Sequence, residues 1–178
     1  MSDRQISVDL NAHPLFSTWS LWYHDKDNND WSINGYQHIV DISSVEEFWM
    51  TYNRIPDFTS GMFFLMRGKN LPIWETFQEP IHFIKYKAEK RTFYKLWFDI
   101  CKLLIGETIT DNPSRMVGVS LSPKFRNMII KIWTHETSLV PIRGEFDPSI
   151  GDPVFISGSG GGGGEPAHEQ PTTTQLVS

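Results

Sequence analysis

The sequence predicts an α+β domain, an antiparallel β-sheet with two or three α-helices packed on one face. Three observations carry that expectation. Seven segments read as strands: Leu15–His24, Tyr36–Asp41, Met62–Arg67, Ile81–Lys87, Met116–Leu121, Met128–Thr134 and Pro153–Ile156. Two others carry a long apolar stripe at helical spacing. The connections are mostly short and turn-rich (DKDNND, IPDFTSG, DNPSR, SPKFRN), which suits antiparallel neighbours.

Taken in order, Leu15–His24 is apolar and aromatic and ends at DKDNND. Tyr36–Asp41 leads into a helix over Ser44–Ile55. Ser44 and Glu47 have capping-box spacing, and Val45, Phe48, Trp49 and Tyr52 fall at i, i+3, i+4 and i+7. Met62–Arg67 follows IPDFTSG. Ile81–Lys87 alternates through Ile81 and Phe83, with Ile84 out of phase, then through Lys85, Tyr86 and Lys87. The second helix spans Lys90–Ile105, with Phe93, Leu96, Trp97, Ile100, Leu103 and Leu104 at helical spacing and Gly106 as its C-terminal cap. Met116–Leu121 and Met128–Thr134 flank the turn SPKFRN, and Pro153–Ile156 closes the set.

The 178 residues divide into a short flexible N-terminus (1–12), a folded domain (13–157) and a flexible tail (158–178). The tail, GSGGGGGEPAHEQPTTTQLVS, has nothing to pack and reads as a native tail or an added linker. Its literal G-x-G-x-x-G match is empty, because no helix follows and no lysine completes a phosphate loop. A domain of this size supports one core. No apolar run reaches the ~20 residues of a membrane span, and Met1–Leu10 does not read as a signal peptide. One cysteine, Cys101, forms no internal disulfide, which points to a reducing, cytoplasmic setting. A net charge of −5 argues against coating long stretches of nucleic acid while leaving room for a small basic pocket.

Several chemistries find no support. Asp25, Asp27 and Asn29 begin like a calcium loop, but Asp30 stands where glycine is needed and Tyr36 where glutamate is needed. The six histidines show no ligand-like pairing, and one cysteine makes no zinc knuckle. There is no nucleophile elbow and no phosphate-binding loop. Cys101, mid-helix among apolar neighbours, reads as buried and inert. No metal, cofactor or catalytic residue is expected.

What stands out is seven tryptophans. Trp31 follows DKDNND, Trp74 sits in the proline-led loop LPIWET, and Trp133 ends the strand MIIKIW. Glu75 follows Trp74, and Lys124 and Arg126 occupy the turn before the strand of Trp133. Each alone is unremarkable: loop tryptophans often plug a core edge, and isolated charges are usually solvated. Together they suit one ligand. Two aromatic faces sandwich a cationic base, a carboxylate accepts two N–H bonds from a guanine edge, and basic side chains hold phosphates. That ligand is 7-methylguanosine on a phosphate chain.

The chain resembles the cap-binding translation initiation factor 4E family from about His13 to Ile156, through HPLFSTWSLW, DWSINGY, SVEEFWMTYNRI, LPIWE, LWFDICKLLIGE and IIKIWT. The resemblance implies a curved sheet with helices on its convex back and the cap in its concave face. It implies that Trp31 and Trp74 stack on the base, that Glu75 and the Trp74 backbone N–H read guanine, and that Trp133 touches the methyl group. Lys124 and Arg126 would contact the phosphates, with Lys131 standing in for a family lysine that aligns with Ile129. Two further family positions, an arginine and an aspartate that support the phosphates, align with Ile81 and Met62; Lys85 and Lys87 are the candidates to compensate. On the back, His13, Pro14, Val45, Trp49, Phe98, Asp99, Lys102 and Gly106 would receive a helical peptide of a scaffold or repressor protein. Lys102 stands there in place of a family leucine. The family's third helix is expected to be missing, or reduced to a turn around Pro141–Asp147. The implied partners are capped mRNA and that scaffold or repressor, with the protein a monomer or heterodimer and no membrane involved. The competing reading is an interaction subunit that has lost cap binding. An enzyme such as a cap hydrolase would need metal-binding carboxylates at helical spacing, and the adjacent Glu46 and Glu47 point to different faces.

Overall fold

The computed structural model describes residues 12–158 apart from Glu145 and Pro148. The flexible N-terminus (1–12) and tail (158–178) expected above therefore lie almost wholly outside the described residues. The elements are β1 (Pro14–Asp25), β2 (Tyr36–Ser44), α1 (Val45–Arg54), β3 (Gly61–Arg67), β4 (His82–Glu89), α2 (Phe93–Ile105), β5 (Met116–Lys124), β6 (Asn127–Thr134) and β7 (Val154–Ile156). The strands form one curved antiparallel sheet in the order β2-β1-β3-β5-β6-β4-β7. Register breaks in β1 between Leu21 and Trp22, and in β5 between Met116 and Gly118, add local twist.

Strand alternation divides the core between two faces. Met128, Ile130 and Ile132 of β6, Val119 and Leu121 of β5 and Phe63 and Leu65 of β3 bury against both helices, with Trp19, Phe48, Phe93, Leu96, Trp97 and Ile100 in the same cluster. The intervening residues of the same strands face the other way and build the site described below.

Helix α1 starts where the capping box requires: Glu47 N–H donates to Ser44 Oγ at 3.2 Å, and the Glu47 carboxylate accepts from the Ser44 and Ser43 backbones at 3.2 and 2.7 Å. Pro56 follows its C-cap, Ile55. Helix α2 begins at Phe93 rather than Lys90, because residues 89–92 close a turn instead, Thr92 N–H donating to Glu89 O at 3.0 Å. Gly106 is the C-cap, but the left-handed residue after it is Glu107, at φ 51°. Its carboxylate explains why glycine is not needed there. It pairs with the Arg67 guanidinium at 2.9 Å and accepts from Ser17 Oγ at 2.6 Å, tying the end of α2 to β1 and β3.

Beyond β6 the described residues contain no third helix. Ile142, Phe146 and Ile150 lie in an irregular segment packed on the helix-side core, and Arg143 N–H donates to Ile109 O at 2.7 Å. An open depression of about 420 Å³ lies between Tyr86 and this segment.

Candidate functional site

On the face away from the helices, alternation lays down a second, largely aromatic cluster. Phe64, Met66, Ile81, Val117 and Trp133 are buried, with Trp22, Tyr36, Met62, Trp74, Phe77 and Phe83 packed around them. Trp22 lies opposite Phe64, and Trp133 lies between Gly118 and Phe83. Close packing depends on Gly118, where a Cβ would meet Met66 Sδ at 2.6 Å. The Trp133 ring stands edge-on to Phe83 at 5.2 Å, and its Nε1–H donates to Ser120 Oγ at 3.0 Å. Trp133 is thus a fixed part of the floor.

Trp31 is carried by the β1–β2 loop. The carboxylates and amide of DKDNND wind that loop into successive Asx turns: Asp27 N–H to Asp25 Oδ1, Asp30 N–H to Asn28 Oδ1 and Ser32 N–H to Asp30 Oδ1, at 2.8, 2.9 and 2.9 Å. The loop doubles back so tightly that a Cβ at Gly35 would meet Asp30 O at 1.8 Å. The Trp31 ring lies flat on His24, centroids 4.4 Å apart and 9° from parallel. His24 is fully buried on β1 opposite Met62, with Nδ1 2.8 Å from Asp25 O and Nε2 2.9 Å from Asp30 O. One face of Trp31 is therefore backed by a ring that is itself held to the loop backbone. Sequence reasoning missed His24; its parity with Trp22 on β1 was the available signal.

Trp74 and Glu75 open a single 3-10 turn, Trp74–Thr76, in the β3–β4 connection, with Thr76 Oγ1 donating to Ile73 O at 2.7 Å. Trp74 packs at the edge of the second cluster, and Glu75 is exposed. Tyr36 joins the two loops. Its ring meets Trp31 edge-on at 6.5 Å, and its hydroxyl is pushed up to about 12, first by burial and then by the charge of Glu75. The structure thus sets the Trp31 ring and the charge of Glu75 near one phenol, and both that phenol and Trp74 pack on the cluster that contains Trp133.

Pairing register places the basic residues. Lys124 lies opposite Asn127, Ile129 opposite Ser122 and Lys87, and Lys131 opposite Ser120 and Lys85. Alternation puts Lys85, Lys87, Lys124 and Lys131 on the face of Trp133, as a stripe running away from it. Lys131 Nζ lies 5.5 Å above the Phe83 ring. Arg126 is in the β5–β6 turn. Ile81 is buried in the second cluster and Met62 packs against it, so neither position offers a polar group to this face.

The helix face carries the other expected residues. Phe48 is buried, whereas Trp49 remains 45% exposed and leans on Phe98, centroids 5.0 Å apart. Lys102 Nζ lies over the Phe98 ring, 4.7 Å from its centroid, and pairs with Asp99 at 2.8 Å. Lys95 also holds Asp99, so that carboxylate is already shared between two ammonium groups. His13 donates its backbone N–H to Glu46 at 2.9 Å and accepts from Val45 N–H at 2.9 Å, docking the start of β1, with Pro14, against the first turn of α1. Val45 is exposed there, and Gly106 lies exposed at the end of α2.

A profile of the eukaryotic initiation factor 4E family matches residues 14–147. The chain belongs to the eukaryotic initiation factor 4E family. Among its relatives in that family is eukaryotic translation initiation factor 4E1 of Drosophila melanogaster, 29% identical over 133 residues, which cover 70% of this chain and 51% of the fly protein. The chain thus spans about half the length of that initiation factor. Two solved structures share the fold. Ascaris suum eIF4E-3 in complex with m7G cap superposes with a TM-score of 0.62 at 21% identity, covering 70% of this chain and 74% of that one. C. elegans eIF4E-3, solved with the 4E-binding protein Mextli and a cap analog, gives a TM-score of 0.61 at 20% identity, covering 71% and 76%. Among the described residues no helix is long and apolar enough to cross a membrane, and no group of His, Cys, Asp or Glu could hold a metal ion.

Proposed function

We propose that this protein binds the 7-methylguanosine 5′ cap of mRNA on the open face of its sheet and a helical peptide of a scaffold or repressor on its helix face, acting in translation initiation or its regulation in the cytoplasm. The observation that carries this reading is that the Trp31 ring and the Glu75 charge both act on Tyr36, which shares its aromatic cluster with Trp74. Stacking on a cationic base is worth up to ~2 kcal/mol per desolvated face. Charge-assisted bonds from the guanine N1 and N2 hydrogens to Glu75 are worth ~1.5–3 kcal/mol each. Trp133, in the aromatic cluster on which Trp74 packs, would touch the methyl group, and Lys124, Arg126 and Lys131, with Lys85 and Lys87 beside them, would take the phosphates. Binding makes and breaks no bond, so the role is recognition and not catalysis.

Titration of intrinsic tryptophan fluorescence with 7-methylguanosine triphosphate tests it, with guanosine triphosphate as control. Saturable quenching by the methylated ligand alone is expected, and Trp31→Ala and Trp74→Ala should each abolish it. Full retention by both variants would sink the sandwich. The second reading, an interaction subunit without cap binding, is favoured by apolar Met62, Ile81 and Ile129 on the phosphate side. It predicts no quenching by either nucleotide together with intact partner binding through Trp49.

A further inference from the structure

The β5–β6 hairpin ends in a feature that the cap site does not use. Between Lys124 and Asn127, which pair across the strands, the turn is Phe125–Arg126. Phe125 is 94% exposed and adopts φ 52°, a left-handed backbone that a bulky aromatic residue rarely takes and glycine takes freely. Local folding thus argues for glycine and solvation argues for a polar residue. Neither accounts for phenylalanine.

Its position suits a ligand. Phe125 is flanked in sequence by Lys124 and Arg126, and it ends the hairpin that carries Lys131 and Trp133. Trp133 and Asn127 are six positions apart on β6, about 20 Å of strand. That is the order of length that a ribose, a triphosphate and a second ribose span when extended. The lysine stripe lines the interval. Register also sets this tip at the end of the sheet from which the Trp31 loop emerges, since Asp25 pairs with Gly61 and Phe63 with Leu121. A chain leaving the base site along the lysines therefore arrives at an exposed ring between two cations, the combination that single-stranded nucleic acid uses for stacking.

Resting on the cap reading, we infer that Phe125 is a stacking platform for the first transcribed nucleotide, the base on the far side of the cap triphosphate. Stacking on a ring face is tolerant of base identity, so the site reads the presence of an attached RNA chain rather than its sequence.

The test compares two probes, 7-methylguanosine triphosphate and the dinucleotide cap m7GpppA, on the unaltered protein, Phe125→Gly and Phe125→Trp. Phe125→Gly relieves the left-handed backbone, so the variant should fold at least as well, as thermal unfolding will show. The expected result is a loss of about 5- to 150-fold in m7GpppA affinity for Phe125→Gly, with 7-methylguanosine triphosphate unchanged within twofold and m7GpppA binding kept in Phe125→Trp. Equal m7GpppA affinity in all three proteins, or an equal loss for both probes, overturns the platform while the cap reading stands. Failure of the unaltered protein to bind either probe overturns the cap reading and the platform with it.

Discussion

Glu75 follows Trp74, a proposed stacking residue, and its charge raises the titration of the Tyr36 phenol, so one substitution tests both relationships. Glu75→Gln keeps the size and removes the charge. Loss of a charge-assisted bond at ~1.5–3 kcal/mol should lower the preference for methylated over unmethylated guanosine triphosphate about tenfold or more, read by competition. The same variant should lower the Tyr36 titration from about 12 only part of the way, because burial is the larger cause. At the back, Glu46 accepts from the His13 ring and backbone, which draw its carboxyl from 4.5 down to about 2. A carboxyl depressed by folding stabilises the native state fully above 4.5, and that contribution fades as pH falls toward 2. The pair is exposed, so its weight in stability is small. A side-chain NMR titration should place the Glu46 midpoint near 2 and show it return toward 4.5 in His13→Ala; an unmoved midpoint would separate the two residues.

Among the elements, the β1–β2 loop is ordered by its own Asx turns and by His24 beneath Trp31. His24→Ala removes the ring behind Trp31 and both of its contacts with loop carbonyls while leaving Trp31, Trp74 and Glu75 themselves unaltered. Cap affinity should fall severalfold, the loop having to be ordered at the expense of binding, and amide exchange over residues 26–35 should accelerate; unchanged exchange would mean the Asx turns suffice. Helix α1 splits its aromatic residues between two surfaces. Phe48 completes the core, and Trp49 stays out on Phe98. Trp49→Ala should remove capture of a scaffold or repressor peptide and leave thermal stability within ~1 kcal/mol. Unfolding of that variant would make Trp49 a core residue.

For the whole molecule, the sheet is a partition. Residues of one parity bury against α1 and α2, and those of the other form the aromatic floor and lysine stripe. The two proposed ligands therefore sit on opposite faces with a packed sheet between them. Well-separated sites of this kind add nearly independently, so Trp49→Ala should leave the cap titration within twofold, and a larger shift would show that the faces communicate. The tie between Arg67, Glu107 and Ser17 is one place where the sheet and the end of α2 are joined by an ion pair as well as by packing.

Much of this was legible in the sequence because it depends on periods and on neighbours in the chain. Strand alternation fixes which residues share a face, the Ser44 and Glu47 spacing fixes the start of α1, and LPIWE sets Trp74 beside Glu75. The spacing of the tryptophan motifs pointed to the family that the profile match then identified. What depends on contacts between distant segments was not legible. The polar residues Lys90–Thr92 bear no apolar stripe, so the start of α2 was decided by the turn that Glu89 and Thr92 close. Glu107 takes a glycine-like conformation because Arg67, forty residues away, holds its carboxylate. His24 backs Trp31 only because the loop folds over β1. Phe125 gives no sign of its backbone until the register of β5 and β6 makes it the first residue of a two-residue turn. Sequence by itself determined the sheet, both helices and the identity of the candidate recognition residues, since local period and chain adjacency are written in it. Only the tertiary structure decided how those residues meet, because burial and hydrogen bonding between remote segments exist only once the chain has closed on itself.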